Sequence, residues 1–509
     1  MALTIHGYQL LKKDIKNLKE LKGLLTVRPY VPSVFVKPQY VQRYPVYFET
    51  EDSMYVPKHY GIETYGPPKS STRNVEPTLS KYWEFAGSLR PSQFEVVNSF
   101  LKPTPRDGII SLQTGGGKTV CGLYIASVLQ VCTIVLVHNT FLRDQWLDRI
   151  KAFLPKARIG LWNEDSTVDT FIQDFVIRVD CDNIKYKNGI STPNFKLLKN
   201  LKPDEIHIIS QIIECDSNLE SICKNIRNYV SQRDVTIAMI QGVMRDEVKS
   251  HQFKNIGLLI VDECHHIASE AFSKCVPKLT CKHMLGLSAT PERKDRLMHV
   301  INWFLGPILY KSDTSDKLDE KVNVEVYEFE PPDSSYNEVI YNHAGVMFTS
   351  LMVNKVVEYA PRNKLLTEIL TDLYEDTERE ILVLTDRVDH TKVIFDSLPS
   401  HIQATSCILG RSVKSAQRAE WCESKRILIA TYAMCKEGFD VAKLNTLVIA
   451  TPRPDVDQIV GRILRTEKAK RLIDPLIIDI VDPAFRRQFQ ERLSLYNKRS
   501  YRVQKMKLD

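Results

Sequence analysis

Short apolar runs, bounded by turn residues and separated by segments of helix length, recur along this chain and predict buried strands in parallel sheets. In the first half, GIIS from Gly108 runs into three consecutive glycines and then a continuous apolar segment of helix length, Lys118 to Leu129. TIVLV (133–137) leads through a polar turn into another helical segment, and DVTIAMIQGVM (234–244), GLLIVDECHHI (257–267) and MLGLSATPERKDR (284–296) resume the strand rhythm. The second half repeats it: KVNVEVYEFE (321–330), ILVLTD (381–386), RILIATYAM (426–434) and TLVIAT (446–451) predict a second parallel sheet.

Around these two α/β halves the pattern changes. Leu11, Ile15, Leu18 and Leu25 stand at helical spacing among lysines and predict an amphipathic helix over 10–25. From 27 to 65, short pieces rich in Val, Tyr, Phe and Pro predict a small β-rich module, and the polar stretch 67–77 reads as a linker. Its tyrosines alternate with Lys37, Arg43 and Lys58; that pattern could stack bases and touch phosphates, although strand formation explains it more simply. Residues 164–233 break the strand–helix alternation but keep ordered apolar patterns, which predicts a folded insertion. The last residues form a basic tail.

The chemistry sits at the strand ends. Gly115, Gly116 and Gly117 lack Cβ atoms, so their backbone can turn N–H groups towards a di- or triphosphate at a helix N-terminus. Lys118 supplies a mobile charge for the β- and γ-phosphates and Thr119 a hydroxyl ligand for Mg²⁺. The strict phosphate-loop pattern wants glycine where this chain has Leu112. After the apolar strand at 257, Asp262 suits Mg²⁺ held through water and Glu263 suits a base that polarises the attacking water. Far along the chain, Gln458, Gly461, Arg462 and Arg465 share one face of a helix, and two arginines so presented suit a finger on a triphosphate.

Composition narrows the picture only a little. The 509 residues predict about three domains. The net charge of +7 permits a polyanionic partner without naming one. Apolar runs are strand-sized, and neither terminus carries a secretory or retention signal, so the sequence reads as soluble and intracellular, with no membrane partner. The 11 scattered cysteines contain no C-x-x-C pair, which favours free buried thiols. The best metal-like group, Cys275, Cys281 and His283, reads more simply as packing.

Taken together, in order and spacing, these segments resemble the superfamily-2 helicases. LRPSQ looks like the adenine-side motif, with Arg90 and Gln93 as its matching positions. QTGGGKT matches motif I, which adds Thr114 and tolerates Leu112; VLVHNTFLRDQW resembles motif Ia, DECH (262–265) motif II and SAT motif III. ATYAMCKEGFD looks like motif V, with Thr431 on the nucleic-acid side and Glu437, Gly438 and Asp440 towards ATP, and QIVGRILR is similar to motif VI. The set looks most like the branch that holds XPB-type helicases, restriction-enzyme motor subunits and helicases of phages and large DNA viruses. The resemblance implies two RecA-like parallel-sheet domains in tandem behind a small N-terminal α+β module. Its boundaries would be 1–80 for the accessory module, 81–312 and 321–482 for the motor domains, and 483–509 for the basic tail. It implies an ATP- and Mg²⁺-dependent helicase or translocase, with DNA favoured over RNA as the track. A remodeller that displaces proteins or nascent RNA without unwinding shares these motifs, as does an RNA helicase. The insertion at 164–233 departs from the family pattern.

Overall fold

The computed structural model describes the chain except residues 31–39, 72–82, 114, 163–184, 188–189, 193–232, 246–247, 249, 254, 267–269, 290–294, 313–320, 343–344, 411–412, 414, 437–440, 442, 464–470 and 508–509. Two compact units result: Met1–Tyr30 with Gln42–Ile110 and Lys118–Tyr310, and Val31–Val41 with Ser111–Gly117 and Lys311–Asp509.

At the N-terminus, β1 (Ala2–Thr4), β2 (Gly7–Leu11), β3 (Phe48–Glu49), β4 (Ser53–Val56) and β5 (Ser70–Ser71) form a sheet in the order β3-β4-β2-β1-β5. The helix expected over 10–25 is shorter than its spacing suggested. Residues 7–11 extend as β2 because Tyr8 and Leu10, two apart, pair with Val56 and Met54 and all four are buried. Helix α1 (Leu18–Leu24) starts only after Asn17, whose side chain accepts from the Glu20 N–H at 3.1 Å.

A second helix, α2 (Lys58–Tyr65), ties this sheet into the rest of the first unit. The Lys58 ammonium donates to Asp107 Oδ2 and to the Lys282 carbonyl at 2.8 Å, and His59 Nε2 lies 3.1 Å from the same carboxylate. The other Asp107 oxygen accepts from the Met284 N–H at 3.1 Å. Burial alone would raise the Asp107 pKa; Lys58 and His59 outweigh it and hold the carboxylate low. One apolar cluster runs from Tyr8, Leu10 and Met54 through Ile109 to Leu259 and Phe304.

The larger sheet of that unit comprises β6 (Gly108–Ser111), β7 (Thr133–Val137), β8 (Ile159–Trp162), β9 (Val235–Met239), β10 (Leu258–Val261), β11 (His283–Ser288) and β12 (Ile308–Lys311), in the order β8-β9-β7-β10-β11-β6-β12. The pairings from β8 to β11 are parallel. Helices α3 (Pro91–Leu101), α4 (Lys118–Leu129), α5 (Thr140–Phe153) and α6 (Met298–Leu305) belong with it. Strands β7 and β10 are buried along their whole length, as runs without alternation require when both faces are covered. Of the insertion, a two-stranded hairpin of Lys185–Lys187 with Ile190–Thr192 is described; the rest of the expected folded segment lies outside the described residues except Arg233.

The second unit holds another seven-stranded sheet: β13 (Asn323–Glu328), β14 (Ile381–Thr385), β15 (Ser406–Leu409), β16 (Ile427–Thr431), β17 (Thr446–Ile449), β18 (Leu476–Val481) and β19 (Arg502–Met506), ordered β15-β16-β14-β17-β18-β13-β19. Every pairing in it is parallel. Its helices include α7 (Thr349–Glu358), α8 (Ala360–Glu375), α9 (Val388–Ser397), α10 (Asp457–Ile463) and α11 (Arg486–Lys498).

Residues 483–509, expected as a basic tail, instead form α11 and the edge strand β19. Their charge misled because Arg492, 1% exposed, is neutralised by the buried Asp479, while Phe485, Phe489 and Tyr496 face the core. Cys275 and Cys281 are core residues, and the described cysteines are free thiols, all but Cys422 buried. Among the described residues no group of three His, Cys, Asp or Glu is placed to hold a metal, and no helix is long and apolar enough to cross a membrane.

Candidate active site

The site grows from the C-terminal ends of β6 and β10. After β6, Gly115 and Gly117 take φ of 81° and 85°, a region that a side chain rarely tolerates. Between them, Gly116 donates to the Gln113 carbonyl at 2.9 Å, and a Cβ on Gly116 would approach that oxygen to 3.0 Å. Glycine is therefore favoured by conformation at two positions and by tight space at the third. Helix α4 then opens with Lys118, so the unpaired N–H groups of its first turn, and the positive end of its dipole, lie beside the loop. These features fit a polyphosphate.

Strand β10 ends at Val261, and the chain turns through Asp262 and Glu263. Glu263 sits at φ 47°, a strained value for a non-glycine residue. Its Oε1 accepts from Lys118 Nζ at 2.7 Å, and its Oε2 lies 3.3 Å from His265 Nδ1. The same His265 nitrogen is 3.1 Å from Ser288 Oγ at the end of β11, so the DECH turn and the SAT strand are joined by one imidazole. Asp262 is almost fully buried. Its Oδ2 accepts from the Trp146 indole N–H at 2.8 Å and its Oδ1 from the Glu263 N–H at 3.0 Å.

The two adjacent carboxylates are pushed in opposite directions. Burial works against ionising either one. For Glu263 the nearby Lys118 charge and the His265 contact overcome burial and hold its pKa well below the ordinary range. For Asp262, burial and then the Glu263 charge prevail over Lys118 and the Trp146 bond, and its pKa is raised. A buried carboxylate so short of positive charge, beside a second one, suits a hard cation; with the Thr119 hydroxyl the donor set is all oxygen, as Mg²⁺ prefers.

The structure thus joins Lys118, Asp262 and Glu263 and places Gly115, Gly116, Gly117 and Thr119 on the loop and helix beside them. Gln93 is buried on α3, its Oε1 accepting from the Arg90 N–H at 2.9 Å, so it caps the helix that it begins, with Arg90 exposed at the cap. Thr114, Glu437, Gly438, Asp440 and Arg465 lie outside the described residues; Arg462 lies on α10, its side chain outside them. Trp146 went unassigned in the sequence. An aromatic residue on an amphipathic helix reads as core, and only the fold brings its N–H to Asp262.

A glycine loop before a helix with an Asp-Glu pair at the end of the next strand but one in the same sheet defines a nucleoside-triphosphatase motor. Residues 86–293 match the family described as Type III restriction enzyme, res subunit. A protein of Acanthamoeba polyphaga mimivirus named as an ATP-dependent RNA helicase, L396, is 26% identical over 99% of this chain and 86% of its own length. The DNA 3'-5' translocase XPB2 of Sulfurisphaera tokodaii is 27% identical over 45% of this chain and 36% of its own. The solved structure of Mss116p bound to ssRNA and AMP-PNP shares the fold, with a TM-score of 0.52 over 83% of this chain and 75% of its own, at 12% identity. The chain is a homologue of the superfamily-2 helicases of large DNA viruses and of XPB-like translocases, with two RecA-like domains. The likeness is to proteins named as ATP-dependent helicases and translocases.

Proposed function

We propose that this chain moves along DNA, driven by ATP hydrolysis at the Lys118, Asp262 and Glu263 site. The single observation that carries the catalytic reading is the 2.7 Å pair between Lys118 Nζ and Glu263 Oε1. The γ-phosphate competes with Glu263 for that ammonium. When Lys118 turns to the phosphate, Glu263 loses the charge that holds its pKa down and becomes a stronger base, so basicity rises when substrate is present. Glu263 then takes a proton from water as the water oxygen bonds to the γ-phosphorus and the bond to the β–γ bridging oxygen breaks, leaving ADP and phosphate.

Asp262, through water, and Thr119 would hold Mg²⁺, which neutralises charge on the β- and γ-oxygens when bound. Gly115, Gly116 and Gly117, with Thr114, cradle the phosphates; Arg90 and Gln93 face the adenine; Glu437, Gly438 and Asp440 act on the ATP side; and Arg462 and Arg465 stabilise the transferring phosphoryl group. The motor domains are 81–312 and the segment from 321 through β19, with 1–80 as an accessory module. Glu263→Gln keeps the shape but cannot accept the proton, so ATP binding should persist while hydrolysis stops. A fall in affinity as large as the fall in turnover would make Glu263 a ligand and refute the role.

The likeness to the XPB2 translocase supports DNA as the track. RNA is a second reading, favoured by the name of the mimivirus relative. ATP hydrolysis stimulated by single-stranded DNA, duplex DNA and RNA, compared side by side, decides between them: stimulation by RNA alone would overturn the DNA reading.

A further inference from the structure

Helix α10, which carries Arg462, is described from Asp457 to Ile463. Ile459, Val460 and Ile463 bury one face of it. Apolar contacts of that kind resist lifting better than sliding. The directional contacts at its start come from α11.

Asp479, in β18, is fully buried and receives Arg492 Nε at 2.8 Å, Arg492 Nη2 at 2.7 Å and the Tyr496 hydroxyl at 2.9 Å. Because the guanidinium is planar, two bonds to one carboxylate fix where its third nitrogen points. That nitrogen, Nη1, donates to the Arg453 carbonyl at 2.8 Å, in the turn between β17 and α10. The same turn has further anchors: the Tyr432 hydroxyl donates to the Thr451 carbonyl at 2.6 Å, and the Arg453 guanidinium stands 4.9 Å from the Tyr432 ring centre and 3.3 Å from Asp386 Oδ1. Seven residues beyond Arg492, at the C-cap of α11, Arg499 Nη2 donates to both oxygens of Asp457, at 2.9 and 3.0 Å. Asp457 is the first residue of α10.

We infer that α11 is a splint for α10, and that Arg492 and Arg499 are positioning residues which set the register of the helix that carries Arg462 for hydrolysis. This rests on the role proposed above for Arg462. The Arg499 pair is the separable part. Asp457 is more than a third exposed, so the pair contributes little to stability. Its contribution is directional, and a misplacement of about 1 Å can cost a catalytic group as much as about 100-fold.

The test is steady-state, nucleic-acid-stimulated ATP hydrolysis by the full chain carrying Arg499→Ala, Asp457→Asn or Arg499→Lys, with Arg462→Ala as the reference and thermal melting as the folding control. Arg499→Ala and Asp457→Asn should each lower kcat about ten-fold with KM for ATP and Tm nearly unchanged, and Arg499→Lys, which keeps the charge but loses the planar guanidinium, should stay close to the alanine rate. Wild-type kcat in Arg499→Ala overturns the inference, as does full recovery in Arg499→Lys, which would make the effect one of charge alone. If Arg462→Ala itself keeps wild-type kcat, the failure lies in the arginine reading and the splint has nothing to position.

Discussion

Replacing Trp146 by phenylalanine tests the link between the core and the catalytic carboxylates. The indole is fully buried on α5 and its N–H is one of two donors to the buried Asp262 carboxylate. Phenylalanine keeps an aromatic ring in the slot and deletes the donor. A hydrogen bond to a charged group is worth about 1.5–3 kcal/mol, and the lost ring area adds on the order of 1 kcal/mol, so the variant should be about 3 kcal/mol less stable. The carboxylate also loses the contact that fixes its orientation towards the cation. If about 1.4 kcal/mol of the deficit falls on that orientation, the Mg²⁺ concentration for half-maximal ATP hydrolysis rises about ten-fold. The assay is hydrolysis titrated with Mg²⁺ at saturating ATP, alongside chemical denaturation. A Mg²⁺ titration superimposable on wild type, with stability down by only about 1 kcal/mol, would show that the indole merely fills space and would refute the reasoning.

Two further outcomes follow from buried charges elsewhere. Lys58→Met strands Asp107 without its closest counter-ion and should cost about 3–5 kcal/mol, loosening α2 from the motor sheet; faster proteolysis near residue 70 would report it, and an unchanged digestion pattern would count against the strut. His390 is buried between Thr385 Oγ1 at 2.7 Å and Asn363 Oδ1 at 2.9 Å, and burial, with Arg362 adding repulsion, pushes its pKa down to about 3. A histidine depressed in the folded state contributes stability that is full above its unfolded pKa of about 6.5 and is lost as pH falls towards 3. Between pH 7 and 5 this should remove about 2 kcal/mol, and His390→Gln should flatten that part of the pH–stability curve; an identical slope in the variant would show that another group titrates.

Sequence alone determined the elements whose signal is local. A strand buried on both faces needs an unbroken apolar run, which made TIVLV, LLIV and ILVLT visible, and a phosphate loop needs glycines beside a helix start, which made Gly115 to Thr119 visible. The Asp262-Glu263 pair was legible because strand ends carry ligands in parallel sheets. What pattern could not decide was anything satisfied by a distant partner. Leu11, Ile15 and Leu18 fit a helix while Tyr8 and Leu10, two apart, fit a strand, and the pairing with Met54 and Val56 chose the strand for residues 7–11. Trp146 carried no role in the sequence until the fold set its N–H against Asp262. The basic run from Arg486 looked like a solvated tail because the charge that neutralises Arg492, Asp479, lies on another strand. Charge and periodicity are properties of neighbours in sequence, whereas burial and compensation belong to neighbours in space, and only the tertiary structure supplies those.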